Sequence, residues 1–301
     1  MAQILRLRGS DVVYSSRGWS LFRLAHHRIV SIISRYSSLS TDIKKQKQRL
    51  SHRTLQQVDV ETSEWLNQLN DAEPYVRLEK SAHGIGETCK RARFLLDHIN
   101  AGGLPAPTLI DMIKELQCLD QGAVTWRQTS QWSFRSIALS DRPDLLPAVQ
   151  GITDTIQLHS DVWMAYEWNY HRTARIIFLQ QVLQCAKAAL ELPDIEEDQE
   201  LDLHQIMATC IFTIQWLADE FLATVPQSLG DIDHMGQLLD EKHGEHRCRG
   251  IGGYLLLWPT RTVKAEKSAA TLEQKERAER VFERIREYTG MKDLLGEQSI
   301  I

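Results

Sequence analysis

The sequence predicts an all-α fold, a single compact array of helices spanning residues 1–301. Three observations carry that expectation. Apolar residues recur at helical spacing through several long segments. Gly, Asn or Pro follows most of those segments as a stop signal. No alternating apolar and polar run of useful length appears, and no Asn-Gly or Asp-Gly pair marks a hairpin.

The elements follow in chain order. After Gly18, the positions Leu21, Phe22, Ala25, Ile29, Ile32, Ile33 and Tyr36 share one helical face, and Ser37 to Thr41 ends it. Residues 42–59 are polar and read as a linker or a weak helix. A helical stretch runs from about Tyr75 to Ile99, with a break expected at Gly84 and Gly86. Asn100 to Gly103 and Pro105 close it. Thr108 is placed as the cap of a helix with the face Leu109, Met112, Ile113, Leu116 and Leu119. Gln128 to Gly151 contains two prolines and reads as irregular or short helices. Asp161 to Leu190 reads as one long, largely buried helix or two joined ones. His204 to Val225 puts Ile206, Met207, Cys210, Ile211, Ile214, Leu217, Phe221 and Val225 on one stripe, with Pro226 marking its end. The apolar run Leu255 to Trp258 is stopped by Pro259. Ala278, Val281, Phe282 and Ile285 form the last stripe, with Gly290 as its stop. Glu273–Arg277 and Glu276–Arg280 are i,i+4 ion pairs in the favourable order.

Composition narrows the function classes. The chain is 43% hydrophobic and 25% charged, which argues against a disordered or fibrous protein. No uninterrupted apolar run reaches the roughly 18 residues of a membrane span. No h-region follows Met1 to Arg8, so no secretory signal is read there. Five scattered cysteines argue against a disulfide framework. The net charge of −5 argues against a surface that grips DNA unaided. Lys44, Lys45, Lys47, Arg49 and Arg53 form one basic cluster, read as a solvated linker or as a nuclear-import signal.

Catalytic and metal motifs find little footing. His243 to Cys248, with His234 upstream, has suitable zinc ligands but no convincing fourth, so a polar surface loop is the favoured reading. Gly84-Ile85-Gly86 is only a fragment of a phosphate loop. No Gly-x-Ser-x-Gly elbow exists. Glu196-Glu197-Asp198 reads as a solvated loop. Asp219-Glu220 has Ala223 where an aspartate-rich metal motif would need a third carboxylate. Cys89, Cys185 and Cys210 sit on apolar faces, where structural burial is the default. No catalytic residue, cofactor or metal site is therefore expected.

One segment invites a binding reading. Asn169, Arg172 and Arg175 lie close together on one helix, just after Trp163, Tyr166 and Trp168. Buried arginines need carboxylate or carbonyl partners. The six residues read either as internal packing with an ion-pair network or as a pocket for an anionic effector with aromatic walls.

Several motifs carry a family resemblance. Ala218 to Gly230 (ADEFLATVPQSLG), Gly252 to Pro259 (GGYLLLWP), Trp168 to Ile176 (WNYHRTARI), Leu5 to Gly9 with Arg17-Gly18 and Leu21-Phe22, and Val281 to Met291 occur in order. Together they resemble the regulatory region of fungal zinc-cluster transcription factors, the fungal-specific transcription factor domain. The zinc cluster itself is missing. A binuclear cluster needs six closely spaced thiolates beginning with Cys-x-x-Cys, and this sequence has five cysteines and no such pair. The resemblance implies a nuclear regulator without direct sequence-specific DNA binding, acting through a protein partner such as a zinc-cluster factor or through a small-molecule effector. It further implies control of a fungal metabolic or biosynthetic gene set, and no membrane association. The alternatives are a fragment of a longer factor with Met1 internal, a small-molecule enzyme on a repurposed helical scaffold, and a purely structural interaction module.

Overall fold

A helix of 29 residues, Val162–Leu190 (α3), forms the axis on which the other elements pack. The computed structural model describes residues 88–89, 91–97, 106–124, 133–149, 151–193, 195–239 and 250–288. These belong to the second of two compact units, Met1–Lys80 and Ser81–Ile301, into which the chain divides. The expected helix at 21–36, the linker at 42–59, Gly84, Gly86, Asn100 to Gly103, His243 to Cys248 and Gly290 lie outside the described residues.

Asp161 starts α3, its carboxylate accepting from the Met164 amide at 2.8 Å. The helix is buried nearly all round, which explains why its sequence shows no clean polar stripe. Ala106–Val124 (α1), Glu197–Leu222 (α4) and Gly250–Lys264 (α6) pack against it, and Leu272–Tyr288 (α7) packs on α6 and α4. The main core lies between them, with Leu116, Phe178, Val182, Ile214, Leu217, Leu256, Val281 and Ile285 all buried. The helical array is thus all-α as expected, with one small addition.

That addition is a two-stranded antiparallel ribbon, Arg135–Ala138 (β1) with Thr155–Leu158 (β2), where the sequence reads irregular structure or short helices. Between the strands lies Leu146–Val149 (α2), entered through a short turn at Pro143–Leu145. Four-residue strands are too short for alternation to stand out. Ile156 and Leu158 face a small satellite core with Leu139, Leu145, Val149 and Ile232. Gln157 and His159, on the opposite face, point toward α3.

Three boundaries differ from expectation, each with a physical reason. Helix α1 already contains Thr108 in its first turn, so Thr108 is not its cap; Pro107 sits at a position where a missing N–H costs little. Helix α4 begins at Glu197 rather than near His204, because Glu196 and Gln199 form a reciprocal capping box. The acidic Glu197, Asp198 and Glu200 then suit the positive end of the helix dipole, so they are a first helical turn and not a loop. At its other end α4 stops at Leu222, and Pro226 opens the next short helix, Val225–Leu229 (α5), instead of ending α4. Gly230, at φ +89°, then terminates α5 in the left-handed conformation.

Pro259 also does not stop its helix, since α6 continues to Lys264. Beyond it, Thr260 and Thr262 donate their hydroxyls to the Leu256 and Trp258 carbonyls at 2.6 and 3.1 Å. These are i→i−4 side-chain bonds on the helix backbone around the proline. Ala278, Val281 and Ile285 are buried on α7 as expected, and Phe282 is half-buried. Arg277 pairs with Glu273 at 2.5 Å, whereas Arg280 donates to the Gly151 carbonyl at 3.0 Å.

Candidate polar hub and aromatic ladder

The centre of the unit is built around Arg172. Being 1% exposed, its guanidinium needs protein partners in place of water. One Nη donates to Gln157 Oε1 at 2.7 Å and to Glu220 Oε2 at 2.9 Å, and the other to Asn169 Oδ1 at 3.1 Å. The group also lies 5.1 Å from the Trp168 ring centroid and 5.7 Å from that of Phe134. Phe134 and Trp168 meet edge to face at 5.1 Å. Glu220 reaches in from the rim, with 21% of its side chain exposed. The pair therefore joins α3 to α4, and the ribbon joins through Gln157.

A second set of bonds ties the α4–α5 turn into the same place. Asn169 donates to the Thr224 hydroxyl at 2.7 Å, and that hydroxyl donates to the Phe221 carbonyl at 2.8 Å. The Gln157 amide donates to the Ala223 carbonyl at 2.9 Å. Gln227 extends the ribbon with its side-chain amide, accepting from His159 N at 2.8 Å and donating to His159 O at 2.7 Å. These are the two bonds a neighbouring strand would make, supplied by one side chain.

His159 is the least satisfied group in the hub. It is 2% exposed, and neither ring nitrogen has a hydrogen-bond partner. Its ring packs on Phe134 at 5.2 Å. Burial, with the nearby Arg172 charge as a second cause, pushes its pKa down to about 3. At neutral pH the ring is uncharged, as a buried group beside a cation must be.

On another side of α3, the aromatic residues form a separate ladder. Trp163 meets Tyr166 at 6.3 Å, Tyr166 meets Tyr170 at 6.1 Å, and Tyr170 meets Trp258 of α6 at 5.3 Å. Leu255 completes this cluster. Helix α6 is held close by Gly252: a Cβ there would stand 1.7 Å from the Ser228 carbonyl oxygen, so only glycine allows this approach.

The six residues singled out from the sequence thus divide. Trp168, Asn169 and Arg172 enter the polar hub, while Trp163 and Tyr166 belong to the ladder. Arg175 is buried farther along α3. Sequence reasoning missed Phe134, Gln157, His159, Glu220, Thr224 and Gln227 as hub members. For the last three a signal existed, since all lie within the motif Ala218 to Gly230. For Gln157 and His159 the only signal was their two-residue spacing on a strand too short to read.

The hub is an internal ion-pair and amide network: a guanidinium held by a carboxylate and two amide oxygens. Among the described residues, no group of three or more His, Cys, Asp or Glu is placed to hold a metal ion. An open groove of about 530 Å³ lies elsewhere, along α1, lined by Phe94, Leu95 and Met112 with the Arg91–Glu115 ion pair at its edge. Comparison of the chain with protein-family models, curated proteins and solved structures gives no match.

Proposed function

We propose that this chain is a helical regulatory domain of transcription-factor type, without a DNA-reading element of its own in this sequence. It acts in the nucleus through a protein partner or a small-molecule effector, and a fungal metabolic or biosynthetic gene set is its expected target.

The observation that carries this reading is the meeting of three motifs. Ala218–Gly230, Gly252–Pro259 and Trp168–Ile176 are far apart in sequence, yet they touch one another. Arg172 pairs with Glu220, Asn169 with Thr224, Tyr170 packs on Trp258, and Gly252 lies against Ser228. Residues quoted for a family resemblance thus support one another physically in a single joint. The missing Cys-x-x-Cys pair supports the second half of the reading, because six thiolates are needed to position the DNA-reading helix.

The test is a tethered reporter. The full chain is fused to an unrelated DNA-binding domain upstream of a reporter gene in a fungal cell. The reading predicts that reporter output changes, up or down, relative to the DNA-binding domain alone. Unchanged output at equal protein level contradicts it.

A further inference from the structure

Helix α4 has an outer side that the hub does not use. Along it, Leu201, Phe212 and Trp216 are 71%, 71% and 42% exposed, with Ala208 between them. The spacing puts all four on one face over about 22 Å of helix. Thr209 and Thr213 flank this stripe. Their hydroxyls donate backward to the Gln205 and Thr209 carbonyls at 2.9 and 2.8 Å, so those oxygens are already engaged within the helix. From Gln205 to Ala218 no charged residue occurs. An uncharged face of this length on an exposed helix is unusual unless something covers it.

The charges at its ends say what kind of partner fits. Glu197, Asp198, Glu200 and Asp202 cluster at the start of the stripe, Asp219 follows it, and α4 contains no Lys or Arg. A second copy fits poorly. Antiparallel pairing of two α4 helices sets the four acids against Asp219, and parallel pairing sets them against each other. Like charges repel in either arrangement. The segment Glu197–Leu229, which begins with this helix, is apolar and long enough to cross a membrane. Its inner side, however, with Cys210, Ile214, Leu217 and Phe221, is built into the protein core.

We propose that the outer face of α4 is a docking surface for an amphipathic helix of another protein, with an apolar stripe and Lys or Arg at both ends. The apolar stripe supplies contact area, and the terminal acids set partner choice and register. The inference rests on the partner-dependent reading above and names its surface.

The test uses the full chain and a fluorescently labelled synthetic helix of about 20 residues, with a leucine stripe at i, i+4, i+7 and i+11 and lysines at both ends. A second peptide carries glutamates in place of the lysines. At low salt the lysine peptide is expected to bind with micromolar Kd, at least about tenfold tighter than the glutamate peptide. Phe212→Glu should weaken it by about tenfold or more, with circular dichroism and Tm unchanged. Ile251→Glu, at an exposed apolar site on α6, should leave binding intact. The proposal is overturned if the two peptides bind equally, if neither binds, or if Ile251→Glu weakens binding as much as Phe212→Glu. It is also overturned if Phe212→Glu abolishes self-association of the wild-type chain, which assigns the face to a second copy. Binding to phosphatidylcholine vesicles that is lost in Phe212→Glu assigns it to lipid instead. The titration involves no transcription, so its failure leaves the reporter result standing, and the reverse holds too.

Discussion

The two sides of α4 obey different rules. On the inner side Glu220 meets a buried guanidinium, and Ile214, Leu217 and Phe221 sit in the core. On the outer side Phe212 and Trp216 face outward within the uncharged run Gln205 to Ala218. The inner side is specified by apolar packing and by the pairing of Glu220 with a buried cation, and a change there leaves a partner unpaired. The outer side makes little demand on folding, so its apolar character calls for a different explanation. On the docking proposal, residues that carry stability and residues that carry recognition are separated on one helix by about half a turn.

The largest expected effect breaks the inner side. Arg172→Met leaves Glu220 and Gln157 without their buried cation, and such losses cost about 3–5 kcal/mol. Urea unfolding of the variant should show that loss. Together with Glu220→Gln, the double-mutant cycle should return a coupling of about 1–3 kcal/mol, as contacting residues do. Additive effects would mean that the pair contributes little.

Gly252→Ala comes next. The added methyl falls on the Ser228 carbonyl, which is backbone and has little freedom to move, so α6 must shift. A loss of about 1–3 kcal/mol is expected, visible as a lower Tm. Gln227→Ala should cost a similar amount, because it leaves the His159 backbone N–H and C=O without the partners they now have. An unchanged Tm in either variant would contradict the close approach or the side-chain strand mimic.

A comparable effect depends on pH. His159 has a folded pKa of about 3 against an ordinary value of 6.5, so the native state holds it neutral. Its contribution is fully present above pH 6.5 and is lost as pH falls toward 3, at about 1.4 kcal/mol per pH unit. Arg172 is the charged group that deepens the shift. Urea unfolding at pH 7 and pH 5 should show this loss in the wild type and a clearly shallower one in His159→Phe. Equal slopes would mean that the imidazole is not held neutral.

Much of the architecture was readable beforehand, and the reasons are local. The span of α3 follows from the long run without breakers between Asp161 and Leu190. The stripes of α4 and α7 follow from periodicity, because one side of each faces the core. The ribbon was not readable, since its four-residue strands lack room for a pattern. Pro259 and Pro226 misled because a proline signals one lost backbone bond, not whether the helix continues past it, as α6 does, or a fresh helix starts at it, as α5 does. Arg172 stood out as a buried cation, but its partners are scattered from Gln157 to Glu220, and no spacing rule joins them.

The smallest effect on stability is expected at Phe212, and it is there that the separation of roles is tested most directly. Phe212→Glu should change stability by no more than about 0.5 kcal/mol, as exposed substitutions do. In the tethered reporter, the same variant should return output to that of the DNA-binding domain alone. A Tm within experimental error of the wild type, together with lost output, is the result predicted. Retained output, or output lost only in step with a fallen Tm, would contradict the claim that recognition resides on the outer side of α4.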